Sequence, residues 1–229
     1  MPVIEVNGVS HTYDDGRTVL SDLDLRLDEP RVGVVGANGS GKSTFARLLN
    51  GLVLPTAGTV TIDGLDSKRD GRAVRRRVGF CFTDPDAQIV MPTVAEDVAF
   101  GLRRRGFSKV EVGRRTEAAL TAYGLDGHAD HPAHLLSGGQ KQLLALASVL
   151  VTEPELLVMD EPTTLLDLRN AMRVATAVAA LPQQVLLVTH HLDLLADFDR
   201  VLVFDEGRVV CDDSPEPAVA HYRKLMDAP

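Results

Sequence analysis

The chain has 229 residues, 45% of them apolar and 24% charged, with a formal net charge of −8. That length buries one sizeable core, and the acidic balance argues against a protein whose main task is gripping nucleic acid, because backbone binding depends on clustered Lys and Arg. The longest apolar stretches, such as Leu143 to Ala147, are too short to span a bilayer and Met1 to Val6 has no signal-peptide layout, so the chain is not expected to be a membrane protein itself.

In chain order, the first apolar run is Val32 to Val35, expected to be a strand, and a helix-like segment follows at Thr44 to Leu49. Between them stands Gly36-Ala37-Asn38-Gly39-Ser40-Gly41-Lys42-Ser43, the spacing G-x-x-x-x-G-K-[ST] in the strand, loop, helix context that a phosphate-binding loop needs. Its glycines let successive backbone N–H groups turn inward around phosphates. Lys42 supplies a charge at the β- and γ-phosphates, Ser43 a hydroxyl for Mg²⁺, and the start of the following helix its partial positive charge. The loop therefore predicts a bound nucleoside triphosphate.

Strands are expected at Thr59 to Asp63 and Val78 to Phe82, and the four arginines of Arg72 to Arg77 between them read as a solvated helix face. From Pro92 to about Leu136 the pattern turns helical. Thr93 with Glu96 and Ser108 with Glu111 are spaced as capping boxes, opening helices over Val94 to Leu102 and Lys109 to Tyr123, the second closed by Gly124. Gly124 to Pro132 reads as a loop, and a helix runs from Ser137 to about Val151. Leu156 to Asp160 is then a strand with Asp160 and Glu161 at its carboxyl end, where open α/β sheets place ligands. On an extended chain these two acids point to opposite sides. Val185 to Thr189 is expected as the last core strand, and strand, helix, strand alternation across both ends predicts an α/β fold. Cys81 and Cys211 have no ligand spacing and are expected as buried, reduced thiols.

Leu136-Ser137-Gly138-Gly139-Gln140, between the phosphate loop and Asp160-Glu161, resembles the signature of the ATP-binding cassette (ABC) family, the ATPases of ABC transporters. Leu156 to Glu161 resembles the family's Walker B strand, Asp167 its D-loop aspartate, His190 its switch histidine and Tyr13 its aromatic A-loop residue, so the likeness covers nearly all of the chain. The fold it implies is a P-loop NTPase core, a mixed sheet with helices on both faces plus an antiparallel β subdomain. It implies a single domain over residues 1–229 with an α-helical subdomain inserted at about 84–150. ATP and Mg²⁺ are the implied cofactors: Asp160 holds the metal together with Ser43, Glu161 activates the attacking water, and His190 contacts the γ-phosphate beside Lys42. Tyr13 would stack on adenine, and nucleotide contacts run over Gly36, Ala37, Asn38, Gly39, Ser40, Gly41, Lys42, Ser43 and Thr44. Two such domains pack head to tail, so that Ser137, Gly138, Gly139 and Gln140 serve the ATP of a second chain, a homodimer being favoured, and Asp167 is a further nucleotide-binding residue.

Val78 to Ile89, with Pro92-Thr93-Val94 and Glu96 to Gly101, resembles the Q-loop and following helix of energy-coupling factor (ECF) ATPases, and Glu161 to Leu168 resembles most closely those of biotin systems. That implies a transmembrane coupling subunit, a separate substrate-binding membrane subunit, a cargo of vitamin (biotin favoured) or transition-metal ion, no nucleic acid, and a place on the cytoplasmic face of the cell membrane. Thr83 stands where the Q-loop glutamine belongs, with Gln88 expected in the following helix; Leu143 replaces a usual arginine and His191 a usual aspartate. The alternatives are a degenerate nucleotide-binding regulatory subunit, suggested by Thr83, and a soluble ABC ATPase without a transporter.

Overall fold

A computed structural model of the protein describes residues 1–103 and 105–227. In chain order the elements are β1 (Ile4–Thr12), β2 (Thr18–Leu27), β3 (Arg31–Gly36), α1 (Lys42–Leu49), β4 (Ala57–Ile62), β5 (Leu65–Asp66), α2 (Gly71–Arg77), β6 (Val78–Cys81), α3 (Val94–Phe100), α4 (Lys109–Ala122), α5 (Gly138–Leu150), β7 (Leu156–Asp160), α6 (Leu168–Ala179), β8 (Gln184–Val188), β9 (Arg200–Asp205), β10 (Arg208–Asp213) and α7 (Pro215–Asp227). The residues group into two compact units, one of Met1–Gly79, Glu155–Glu161 and Pro182 onward, the other of Phe80–Pro154 and Pro162–Leu181.

The first unit carries two sheets. β2-β1-β4-β5 is antiparallel, and β1 alternates buried and open residues as a one-faced strand does. The larger sheet runs β10-β9-β3-β8-β7-β6, with β9, β3, β8 and β7 parallel and β10 antiparallel at one edge. β7 and β8 are buried at every position, as parallel strands covered on both faces must be. Helix α1 packs on β3, β7 and β8, α7 packs on β3, β9 and β10, and Phe45 of α1 meets Phe204 of β9 at 5.1 Å between ring centroids. Val185 to Thr189 is thus not the last core strand. β9 follows it and pairs on the other side of β3, its apolar run being as buried as that of β8.

The second unit is helical, with α3, α4 and α5 in mutual contact and α6 packed on α5. Asp97 of α3 is buried and accepts the N–H groups of Val90 and Met91 (2.9 and 3.0 Å) and the Ser148 hydroxyl of α5 (2.8 Å), so a buried carboxylate ties loop and two helices together. The two expected capping boxes form only by half. Thr93 and Ser108 do cap their helices, but Glu96 takes the Thr93 hydroxyl (2.8 Å), and Glu111 turns to Arg114 and Arg115, whose hydrogen bonds hold its carboxyl down at about 2. Helix α3 ends at Phe100, two residues before expectation, and the stretch expected as loop holds a 3-10 turn at Asp126–His128.

Gln88 is not in the following helix. It ends a 3-10 turn (Pro85–Ala87), its Oε1 accepting the Phe82 N–H and its Nε2 donating to the Ala145 carbonyl, both at 3.1 Å. Of the two thiols, Cys81 is fully buried and burial pushes it up to about 12, whereas Cys211 lies part-exposed on β10, because an edge strand covers only one face. Among the described residues no helix is long and apolar enough to cross a membrane.

Candidate active site

β3 delivers the chain to Gly36 at φ 151, and a Cβ there would fall on the Phe204 carbonyl and 2.7 Å from the Ser40 hydroxyl. Only glycine lets the loop lie this close to β9, whose Phe204 is paired with Gly36 in the sheet. The loop then turns through Gly39 and Gly41, both at positive φ, and α1 opens at Lys42 with no acidic residue in its first turn, leaving its N–H groups and positive end for an anion. Ser40 Oγ is buried with no hydrogen-bond partner among the described residues. Lys42 is buried and folds its ammonium back onto the Gly36 and Ala37 carbonyls, 2.7 Å from each. Desolvation lowers its pKa, while the nearby Glu161 and Asp160 carboxylates pull the other way.

Asp160 closes β7 opposite Val188 and is 1% exposed. Its carboxylate accepts the Ser43 hydroxyl at 2.8 Å and has the Arg47 guanidinium at 3.7 Å. Burial raises its pKa; the Ser43 hydrogen bond and Arg47 oppose that. The chain does not continue extended into Glu161. That residue sits at φ 50 with its N–H on the Val188 carbonyl (2.9 Å), so a turn, not strand alternation, separates the two acids. His190, two residues past β8, brings Nδ1 to 3.1 Å from Glu161 Oε2. Neighbouring rings of His190 and His191 lie 4.2 Å apart.

Tyr13 follows β1 and bonds through its hydroxyl to Thr44 Oγ1 (3.1 Å), with Arg17 over its ring at 5.9 Å. These groups line a cleft of about 400 Å³, together with Asn38, Val19, Glu206 and Gly207. Sequence reasoning missed Arg17, Arg47 and the turn between β9 and β10. There Glu206 and Gly207 both have positive φ, a two-residue hairpin turn, and the Gly207 N–H donates to the Ser40 carbonyl at 3.1 Å, bracing the phosphate loop from a distant part of the chain. The Asp-Glu-Gly triplet after an apolar run signals the hairpin, but nothing in it signals what the hairpin braces.

The site residues therefore fall into two groups. Tyr13, Gly36 to Thr44, Asp160, Glu161 and His190 lie in the first unit, and Ser137 to Gln140 with Asp167 lie in the second. In the second unit Ser137 caps α5 as half of a complete capping box: Gln140 N–H reaches Ser137 Oγ (3.4 Å) and Ser137 N–H reaches Gln140 Oε1 (2.9 Å). Asp167 caps α6 through the Asn170 N–H at 2.9 Å, and Gly139 lies so close to the Asn170 side chain that a Cβ there would overlap it. The signature is thus a helix N-terminus packed against a second one.

The sequence profile described as ABC transporter matches residues 20–164. The chain belongs to the ATP-binding cassette family. Over 91% of this ATPase and 93% of the relative, it is 48% identical to the biotin transport ATP-binding protein BioM of Rhizobium etli. It is 40% identical to the energy-coupling factor transporter ATP-binding protein EcfA1 of Caldanaerobacter subterraneus, covering 93% of this chain and 81% of that one. Among solved structures it matches cbiO1 from Clostridium perfringens, described as part of the ABC transporter complex cbiONQ, at a TM-score of 0.84 and 31% identity, covering 97% of this chain and 92% of that one. The protein is an ATP-binding subunit of the ABC transporter class, and its activity is ATP hydrolysis coupled to transport.

The donor set fits both cofactors. Glycine-shaped backbone, the start of α1 and a buried ammonium suit a polyphosphate. The Ser43 hydroxyl and Asp160 carboxylate are hard oxygen donors, which suits Mg²⁺, an ion that takes its remaining ligands from phosphate and water.

Proposed function

We propose that this ATPase is the motor subunit of an ECF-type importer, peripheral on the cytoplasmic face of the cell membrane, with biotin as the favoured cargo and a transition-metal ion as the next. The observation that carries the motor reading is the Glu161–His190 pair, 3.1 Å apart, whose Glu161 lines the cleft together with Lys42 and Ser43. BioM and EcfA1 support the ECF assignment by their names and similarity.

In this reading residues 1–229 form one ABC ATPase domain with the helical subdomain inserted at about 84–150. The loop from Gly36 to Thr44 holds the triphosphate and Tyr13 the adenine side. Lys42 leaves the Gly36 and Ala37 carbonyls for the β- and γ-phosphates, exchanging two neutral acceptors for anionic ones. Mg²⁺ held by Ser43 and Asp160 would neutralise charge on the phosphate oxygens. Glu161 takes a proton from the attacking water, and His190 holds that carboxylate and contacts the γ-phosphate. The signature, Ser137 to Gln140, and Asp167 belong to the other compact unit; they act on ATP held by a second chain packed head to tail, a homodimer in the simplest case. Closure of the pair on ATP and its release on hydrolysis drive a transmembrane coupling subunit and a substrate-binding subunit.

Purification of the tagged chain from detergent-solubilised membranes tests this reading. A coupling subunit and a biotin-retaining membrane protein are expected by mass spectrometry. A metal-binding subunit would replace biotin as the cargo, and absence of any membrane subunit would favour the soluble reading.

One observation favours a slow, regulatory version of the same motor. Thr83 occupies the Q-loop position and Gln88 has both ends of its amide engaged, so neither offers the missing amide. Thr83→Gln is expected to raise basal ATP hydrolysis severalfold, measured as phosphate release; no change or a fall would reject the idea.

A further inference from the structure

Among features the mechanism leaves unused, the three histidines before the signature are the most informative. His128 ends the 3-10 turn of Asp126–His128, and its Nε2 lies 3.1 Å from Nε2 of the signature glutamine, Gln140. An amide nitrogen only donates, so His128 Nε2 is the acceptor and the ring proton sits on Nδ1. That Nδ1 is buried without a hydrogen-bond partner among the described residues. An unmatched buried donor is an unfavourable arrangement for a side chain whose task is packing alone. The perpendicular ring of His131, 5.7 Å away between centroids, holds the His128 plane.

The other end of the Gln140 amide is fixed as well, since Oε1 accepts the Ser137 N–H at 2.9 Å. An amide with its oxygen on Ser137 and its nitrogen on His128 has one orientation. Without the acceptor at His128, the amide loses one of its two anchors and is free to flip or swing out. The Ser137 N–H then loses its partner and the first turn of α5 loosens.

We infer that His128 is a positioning residue for the signature: it orients the Gln140 amide and, through the capping box, sets the Ser137 hydroxyl and the backbone N–H groups at the start of α5 for the γ-phosphate of the ATP bound by the partner chain. This rests on the signature role given under the proposed function. It adds a residue outside the five-residue motif to the machinery that completes the neighbour's site.

The test uses the assembled complex carrying His128→Phe, which keeps ring volume but has no acceptor, and His128→Gln, whose amide oxygen reaches the place of Nε2. We expect kcat for ATP hydrolysis to fall about tenfold in the Phe variant, the occupancy lost with one hydrogen bond, and to return to within about twofold of wild type in the Gln variant. ATP affinity of the isolated full-length chain, read with a fluorescent nucleotide, stays unchanged in both, because the phosphate loop is untouched. A Phe variant at the wild-type rate overturns the inference, as does a Gln variant as slow as Phe. Loss of ATP affinity alongside kcat would also overturn it, marking a structural role only. Ser137→Ala in the same assay checks the underlying reading: wild-type turnover there would reject the signature role itself, and the inference with it.

Discussion

Glu161→Gln is expected to cut ATP turnover by the assembled transporter by roughly 10²- to 10⁴-fold, the range that a positioned general base contributes. The substitution keeps side-chain volume and an acceptor for His190 Nδ1, 3.1 Å away in the native chain, but cannot take a proton. Nucleotide binding should survive. Glu161 is the larger of the two anionic influences that hold up the Lys42 pKa against burial, so its loss lowers that pKa further; Asp160 remains, and the incoming phosphates favour the charged form again. Phosphate release and nucleotide affinity measured on the same preparation check both halves. Turnover within about threefold of wild type would remove Glu161 from the role of base.

Gly36→Ala is expected to carry the largest cost to the fold. The added Cβ would meet the Phe204 carbonyl, which is held in the β3–β9 pairing, and the Ser40 hydroxyl at 2.7 Å, so the loop must give way at a φ of 151 that side-chain-bearing residues rarely adopt. Overpacking against backbone plus local strain amounts to about 2–4 kcal/mol, or a Tm lowered by roughly 4–16 °C for a chain of this size. ATP affinity should fall at least about tenfold, because the phosphate cradle moves with the loop. Gly39→Ala is the control: it also has positive φ, at 81, but nothing lies within 4 Å of its Cβ, so only conformational strain of about 1–2 kcal/mol is expected. Equal melting temperatures for the two variants would sink the argument from close approach.

How much could be read in advance differed by residue. The phosphate loop was legible because it is contiguous: eight successive residues carry the turn, the charge and the hydroxyl, flanked by the β3 and α1 patterns. Asp160 and Glu161 were legible as a pair, but not their separation, since left-handed backbone at a glutamate leaves no mark in composition. The capping spacing at Thr93 and Ser108 was real, yet competing partners, the Thr93 hydroxyl and two arginines, took the carboxylates. Among the described residues a reciprocal box forms in the signature, where Ser137 and Gln140 carry the same spacing of cap and partner.

Contiguous residues thus determined the family, the nucleotide chemistry and the strand and helix types, because local spacing and hydrophobic period are written along the backbone itself. Tertiary structure alone decided that Gly207 braces Ser40, that Arg47 faces Asp160, that Gln88 is engaged between Phe82 and Ala145, and that His128 anchors Gln140. Each of these depends on how strands pair and turns close across sequence gaps, and a polar side chain with many donors within reach commits to one only when packing has fixed which of them lies at 3 Å.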